Sequence, residues 1–97
     1  MGVLRNESAA KHATTSELRN ACAWYTMPDQ RGYSKPGVPD ILILYKGKFL
    51  AIEAKYNGNK PSAHQEQQMA EIEACGGHNM VLDETNWKWV KIWLGQY

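Results

Sequence analysis

The sequence predicts an α/β fold, a mixed β-sheet flanked by helices, and three observations carry that prediction. Two runs of strand formers, residues 41 to 45 (ILILY) and 49 to 54 (FLAIEA), are separated by Lys46-Gly47-Lys48, which places a glycine where a tight hairpin turn needs one. A helical stretch at residues 63 to 75 follows and is stopped by Gly76-Gly77, glycine being the residue that most easily leaves a helix. Residues 78 to 82 then return as a strand, and a strand reached through a helical crossover runs parallel to its predecessor.

The remaining elements are placed in chain order. Residues 7 to 23 read as a helix in which Leu18, Ala21 and Cys22 are the best-spaced apolar positions and Thr14-Thr15 interrupts the pattern. Residues 24 to 27 form a short first strand, and residues 28 to 38, with Gly32, Pro36 and Gly37, form a long loop. In the hairpin, a two-residue loop of Lys46 and Gly47 sets Tyr45 against Lys48 and brings Asp40 opposite Glu53, whereas a three-residue loop brings Asp40 opposite Ala54. Alternation then puts Glu53 and Lys55 on one face and Leu50, Ile52 and Ala54 on the other. Residues 57 to 60 make a turn, and residues 83 to 97 carry Trp87, Trp89 and Trp93, spread around a helix.

The chain has 97 residues, 43% of them hydrophobic, which predicts one domain spanning 1–97 with a modest core and no need of disulfides. Cys22 and Cys75 are expected as inert thiols buried on helices. No apolar stretch of ~18 residues and no charged-then-apolar leader is present, so a cytoplasmic protein without membrane association is expected. The formal net charge is only +1, but it is unevenly spread: residues 31 to 60 hold six basic side chains against two acids, and residues 61 to 97 hold two against five. That concentrates positive charge around the hairpin. No histidine pair has zinc-binding spacing.

The chemistry sits at the open end of the hairpin. Asp40 and Glu53 supply hard oxygen ligands suited to Mg²⁺ or Mn²⁺. A cation held there lowers the pKa of a bound water and neutralises charge developing on a phosphodiester, and Lys55 is placed to orient that water or stabilise the transition state. Glu53 and Lys55 also fit a plainer role as an ion pair on the polar face of a sheet. Gln65 has two readings as well. Ser62-Ala63-His64-Gln65 matches a capping box, while Gln65, Met69 and Ile72 share the helix face turned to the sheet.

Pro39-Asp40 followed by Glu53-Ala54-Lys55 resembles the PD-(D/E)xK nuclease superfamily. With Gly37-Val38-Pro39-Asp40, the stretch Lys60-Pro61-Ser62-Ala63-His64-Gln65 and the helix ending at Gly76-Gly77, it is most similar to the VRR-NUC branch, over residues 37 to 82. Ala63 stands where that branch commonly has proline, and Gln68-Met69 where it often has an aromatic-aliphatic pair. The resemblance implies a restriction-endonuclease-like core. It makes Asp40, Glu53 and the backbone carbonyl of Ala54 ligands of Mg²⁺ or Mn²⁺, makes Lys55 catalytic, and has Gln65 complete the site. It also implies an N-terminal acid, Glu7, with Glu17 as the alternative.

Arg31, Tyr33, Lys35 and Lys60 are candidate DNA contacts, with the aromatic available for stacking. The resemblance further implies a homodimer, for which the C-terminal tryptophans offer contact surface. Two symmetry-related sites suit a substrate with paired strands to cut, such as a Holliday junction, and the product would carry a 5′-phosphate. A flap or nicking endonuclease would use the same residues. A DNA-binding module without catalysis is the alternative from another class, and a phage or bacterial source fits the small size.

Overall fold

Asn6 opens the first helix, α1 (Glu7–Asn20), by accepting the Ala9 N–H on its side-chain oxygen at 2.9 Å, which satisfies one of the free donors of the first turn. The computed structural model describes residues 6–29 and 36–97, so the candidate contacts Arg31, Tyr33 and Lys35 lie outside the described residues. Ala10, Thr14, Thr15 and Leu18 form the buried face of α1. The threonine pair therefore continues the packed face instead of interrupting it. Thr15 is relieved of an unpaired hydroxyl by donating to the His12 carbonyl at 3.1 Å.

α1 stops three residues short of the predicted end because Cys22 turns left-handed at φ 60°. The Ala23 N–H then reaches back to the Leu18 carbonyl at 3.0 Å, the six-to-one closure that ends many helices. Both cysteines are exposed free thiols, contrary to the expectation of burial. Cys22 occupies that closing turn and Cys75 the C-cap of the second helix, positions that face water.

The sheet has the order β1-β2-β3-β4, made of β1 (Trp24–Thr26), β2 (Ile41–Tyr45), β3 (Lys48–Ala54) and β4 (His78–Leu82). Strands β1, β2 and β3 pair antiparallel and β4 joins β3 parallel, as the crossover requires. Lys46 at φ 50° and Gly47 at φ 79° form a two-residue turn with both residues left-handed, the type whose twist matches that of the strands. Tyr45 consequently faces Lys48 and Ile41 faces Ile52, so Asp40 arrives opposite Glu53.

The two faces of the sheet are covered unequally. Ile41, Ile43, Leu50, Ile52 and Leu82 pack with Leu18 of α1 and with Val90, Trp93 and Leu94 of the short helix α3 (Trp89–Leu94) into one buried cluster. Complete burial of such side chains is worth about 1.5–3 kcal/mol each. The opposite face is covered by α2 (Ala63–Ala74), none of whose residues is fully buried. There Gly77 fits against Ile72 and Phe49, and the Asn79 amide of β4 donates to the Met69 carbonyl at 2.8 Å. No helix among the described residues is long and apolar enough to cross a membrane.

The hairpin lysines lie elsewhere than the charge pattern implied. Lys46 donates to the Tyr97 carbonyl at 2.8 Å and Lys48 stands 5.5 Å from the Tyr97 ring. They hold the C-terminus at the turn end of the hairpin, while Asp40 and Glu53 occupy its other end, about 17–20 Å away at ~3.3 Å per residue.

Candidate active site

Strand alternation brings Asp40 and Glu53 to the face of the sheet that α2 covers. Asp40 stands just before β2, and its Oδ2 accepts the Ala54 N–H at 2.8 Å, taking the place of a ladder partner where β2 begins. Glu53 is the next-to-last residue of β3 and only 3% exposed. Lys55 continues the same face just beyond the strand, where its N–H bonds the Leu82 carbonyl at 2.8 Å. Its Nζ lies 3.6 Å from Glu53 Oε2.

The loop leading to Asp40 is held against α2. Gly37 has φ +81°, and a Cβ there would fall 2.4 Å from the His64 carbonyl carbon and 2.7 Å from the Gln65 nitrogen. Only glycine permits both that backbone conformation and that approach. Pro39 is fully buried beside it. The Gly37-Val38-Pro39-Asp40 segment thus sets the first carboxylate by its contact with the start of α2, the helix that carries Gln65.

Gln65 caps the helix and reaches Glu53 at once. Its Oε1 accepts the Ser62 N–H at 2.7 Å, and its own N–H bonds Ser62 Oγ at 3.2 Å, completing the capping box. Its Nε2 donates to Glu53 Oε2 at 2.7 Å. Each carboxylate is therefore tethered through one oxygen. Glu53 Oε1 is buried with no hydrogen-bond partner among the described residues, and Asp40 Oδ1 meets the Lys11 ammonium of α1 at 3.5 Å.

Burial, reinforced by the neighbouring Asp40 charge, pushes the Glu53 carboxyl up to about 8, with Lys55 working in the opposite direction. A buried carboxylate oxygen with no donor is costly unless a cation or proton meets it. Glu53 Oε1 and Asp40 Oδ1 are hard anionic oxygens, so the pair fits a divalent ion that keeps several waters. No group of three or more acidic, histidine or cysteine side chains able to hold a metal occurs among the described residues.

Glu7 is half-buried in the first turn of α1, one turn from Lys11, and Glu17 is half-buried near the other end of the helix. Lys60 is exposed in the turn after β3. Lys11 is the residue that the sequence did not single out. Its signal is a long-range juxtaposition of α1 and the sheet end, which no local pattern encodes.

No family model matches the chain. The phage protein named "Putative nuclease p44", from Acyrthosiphon pisum secondary endosymbiont phage 1, is 36% identical over 87 residues, covering 86% of this chain and 87% of that protein. The chain belongs to the family of this phage protein. Its fold is that of a VRR-NUC domain of solved structure, which superposes with a TM-score of 0.73 over 94% of this chain and 96% of the other at 22% identity. The Holliday junction resolvase Hjc of Archaeoglobus fulgidus superposes with a TM-score of 0.60 over 79% of this chain and 67% of its own, also at 22% identity. The VRR-NUC fold is a restriction-endonuclease-like architecture, and in this protein its sheet end carries Asp40, Glu53 and Lys55 together.

Proposed function

We propose that this protein is a Mg²⁺- or Mn²⁺-dependent endonuclease that hydrolyses phosphodiester bonds of DNA, with a resolvase-like preference for branched substrates. The observation that carries the proposal is the paired carboxylate end of the sheet, where Glu53 leaves a buried oxygen without a partner among the described residues and Lys55 stands 3.6 Å from the other oxygen. Asp40 Oδ1, Glu53 Oε1 and the Ala54 carbonyl would hold the cation, with Glu7 or Glu17 as a further acid. A cation so held supplies Lewis acidity toward the phosphodiester and an acidified water. Lys55 then offers positive charge where the transition state accumulates negative charge. Gln65 fixes the rotamer of Glu53. Lys60, with Arg31, Tyr33 and Lys35, would carry the DNA backbone.

The protein acts as a homodimer in this proposal. Trp89 and Ile92 are about 60% exposed on α3, beside Met80 of β4 and Gln96. The buried Trp93 Nε1 in the same recess has no hydrogen-bond partner among the described residues. An exposed patch of Trp89 and Ile92 is suited to a second copy, and a two-fold pair of sites suits a junction with two strands to cut. Relationship to a phage protein is consistent with action in the cytoplasm of a bacterial host.

Cleavage of labelled four-way junction, flap, duplex and single-stranded DNA in Mg²⁺ and Mn²⁺, with Asp40→Asn alongside, tests the proposal. Symmetric junction cuts that vanish in the variant are expected. Metal-dependent cuts confined to flaps or nicks would keep the nuclease and discard the resolvase. Binding without cleavage of any substrate would make the protein a DNA-binding module.

A further inference from the structure

We propose that Lys11 is a second functional cation of the active centre, competing with the divalent ion for Asp40 Oδ1 and, once displaced, gripping a phosphate of the strand to be cut. The inference rests on the metal-dependent nuclease reading above and extends it to a residue outside the sequence motif.

The two oxygens of Asp40 are not equivalent. Oδ2 is occupied by the Ala54 N–H at 2.8 Å, whereas Oδ1 faces Lys11 Nζ at 3.5 Å. That separation is longer than a charge-assisted hydrogen bond of about 2.7–2.9 Å, so the ammonium stands beside the carboxylate without being locked to it. The Lys11 side chain is 27% exposed and that of Asp40 12%, which leaves the ammonium a path to solvent. Lys11 comes from α1, an element that otherwise packs through Ala10, Thr14 and Leu18 against the sheet.

Each carboxyl group of the site has a lysine beside it. Asp40 has Lys11, and Glu53 has Lys55. Lys55 is held at a half-buried position beside the strand end, but Lys11 sits at the rim of the site on a flexible four-carbon stem. A divalent ion bound through Asp40 Oδ1 repels the nearby ammonium. A phosphodiester brought to the same ion offers it a counter-charge. Lys11 thereby trades a carboxylate for a phosphate, weakening cation binding in the absence of DNA and strengthening DNA binding in its presence.

The alternative is that Lys11 only tethers α1 to the sheet. Mn²⁺ titration by calorimetry without DNA, and junction binding in Ca²⁺ across a range of salt, separate the two for the wild type, Lys11→Gln and Lys11→Arg. For Lys11→Gln, Mn²⁺ affinity is expected to rise several-fold, and the slope of log affinity against log salt to shrink by about one. Lys11→Arg is expected to restore the slope. Thermal unfolding of each variant confirms that the fold persists. Unchanged Mn²⁺ affinity or an unchanged salt slope in folded Lys11→Gln, with a wild type that binds Mn²⁺, overturns this inference alone. A wild type that binds no divalent ion overturns the proposed function with it.

Discussion

Gln65 donates from Nε2 to Glu53 Oε2 at 2.7 Å while its Oε1 accepts the Ser62 N–H at 2.7 Å. The backbone N–H of Ser62 can only donate, so it dictates which end of the amide points away from it. The helix cap thereby fixes a donor toward Glu53. One oxygen of Glu53 is satisfied from the helix, and the other is left facing the Asp40 side. Cap and proposed site are two ends of a single amide.

Two variants separate those ends. Gln65→Glu keeps an oxygen for the Ser62 N–H and so keeps the cap, but sets a carboxylate against Glu53. Its melting temperature is expected to fall through the loss of the donor to Glu53 and the added negative charge and to recover when Mn²⁺ is added, with Mn²⁺ bound more tightly than by the wild type and cleavage reduced. Gln65→Ala loses the cap as well, at about 0.5–2 kcal/mol, and is expected to lose both melting temperature and cation affinity. Calorimetric titration and thermal unfolding read the two effects independently. Equal Mn²⁺ affinity in all three proteins would reduce Gln65 to a helix cap.

The raised carboxyl of Glu53, about 8 against an ordinary 4.5, makes stability fall as pH rises. Between those values the folded protein retains a proton that the unfolded chain has lost, so this contribution is fully present below about 4.5 and gone above about 8. Glu53→Gln should flatten that decline in denaturant titrations from pH 4.5 to 8.5. Mn²⁺ should reverse it, and binding at pH 7 should release close to one proton, seen as a dependence of the binding heat on the ionisation enthalpy of the buffer. A wild-type stability that climbs over this range would contradict the assignment.

Gly37 and Gly47 have nearly the same φ, +81° and +79°, in different surroundings. Gly47→Ala meets open space and should cost about 1–2 kcal/mol, the left-handed penalty alone. Gly37→Ala drives a methyl into the backbone of His64 and Gln65, adding about 1–3 kcal/mol of overpacking. It should also loosen Asp40 and weaken Mn²⁺ binding, which Gly47→Ala should leave intact. Equal melting temperatures for the two would remove the proposed contact between the loop and α2.

The hairpin, α2 and β4 were legible because each is specified within a few residues: strand formers about a Lys-Gly turn, a Ser-to-Gln cap, a double-glycine stop. The two-residue turn then determined the register, and with it the meeting of Asp40 and Glu53. The buried face of α1 was harder to see. Thr14 and Thr15 count as polar in a periodicity, yet their methyl groups pack and the Thr15 hydroxyl is satisfied by His12. Hydropathy alone points the cysteines inward, but they sit at helix ends, which are fixed by turn geometry and not by hydrophobicity. Lys46 and Lys48 were grouped with the site by sequence distance, although a hairpin carries its turn away from its open end. Lys11 approaches Asp40 from 29 positions away, and only the assembled α1, loop and sheet bring them together.

Dimerisation can be tested without disturbing the core. Ile92 is 62% exposed, and exposed positions away from special contacts usually tolerate substitution within about 0.5 kcal/mol. Ile92→Glu should therefore fold as well as the wild type. If α3 and the Met80 recess receive a second copy, a buried charge there should turn a dimer into a monomer in analytical ultracentrifugation. The monomer keeps Asp40, Glu53 and Lys55, so its Mn²⁺ affinity should be unchanged. Paired, symmetric cleavage of a junction should give way to single nicks, because each cut now requires a separate encounter. A variant that remains dimeric and cuts symmetrically would place the interface on another surface.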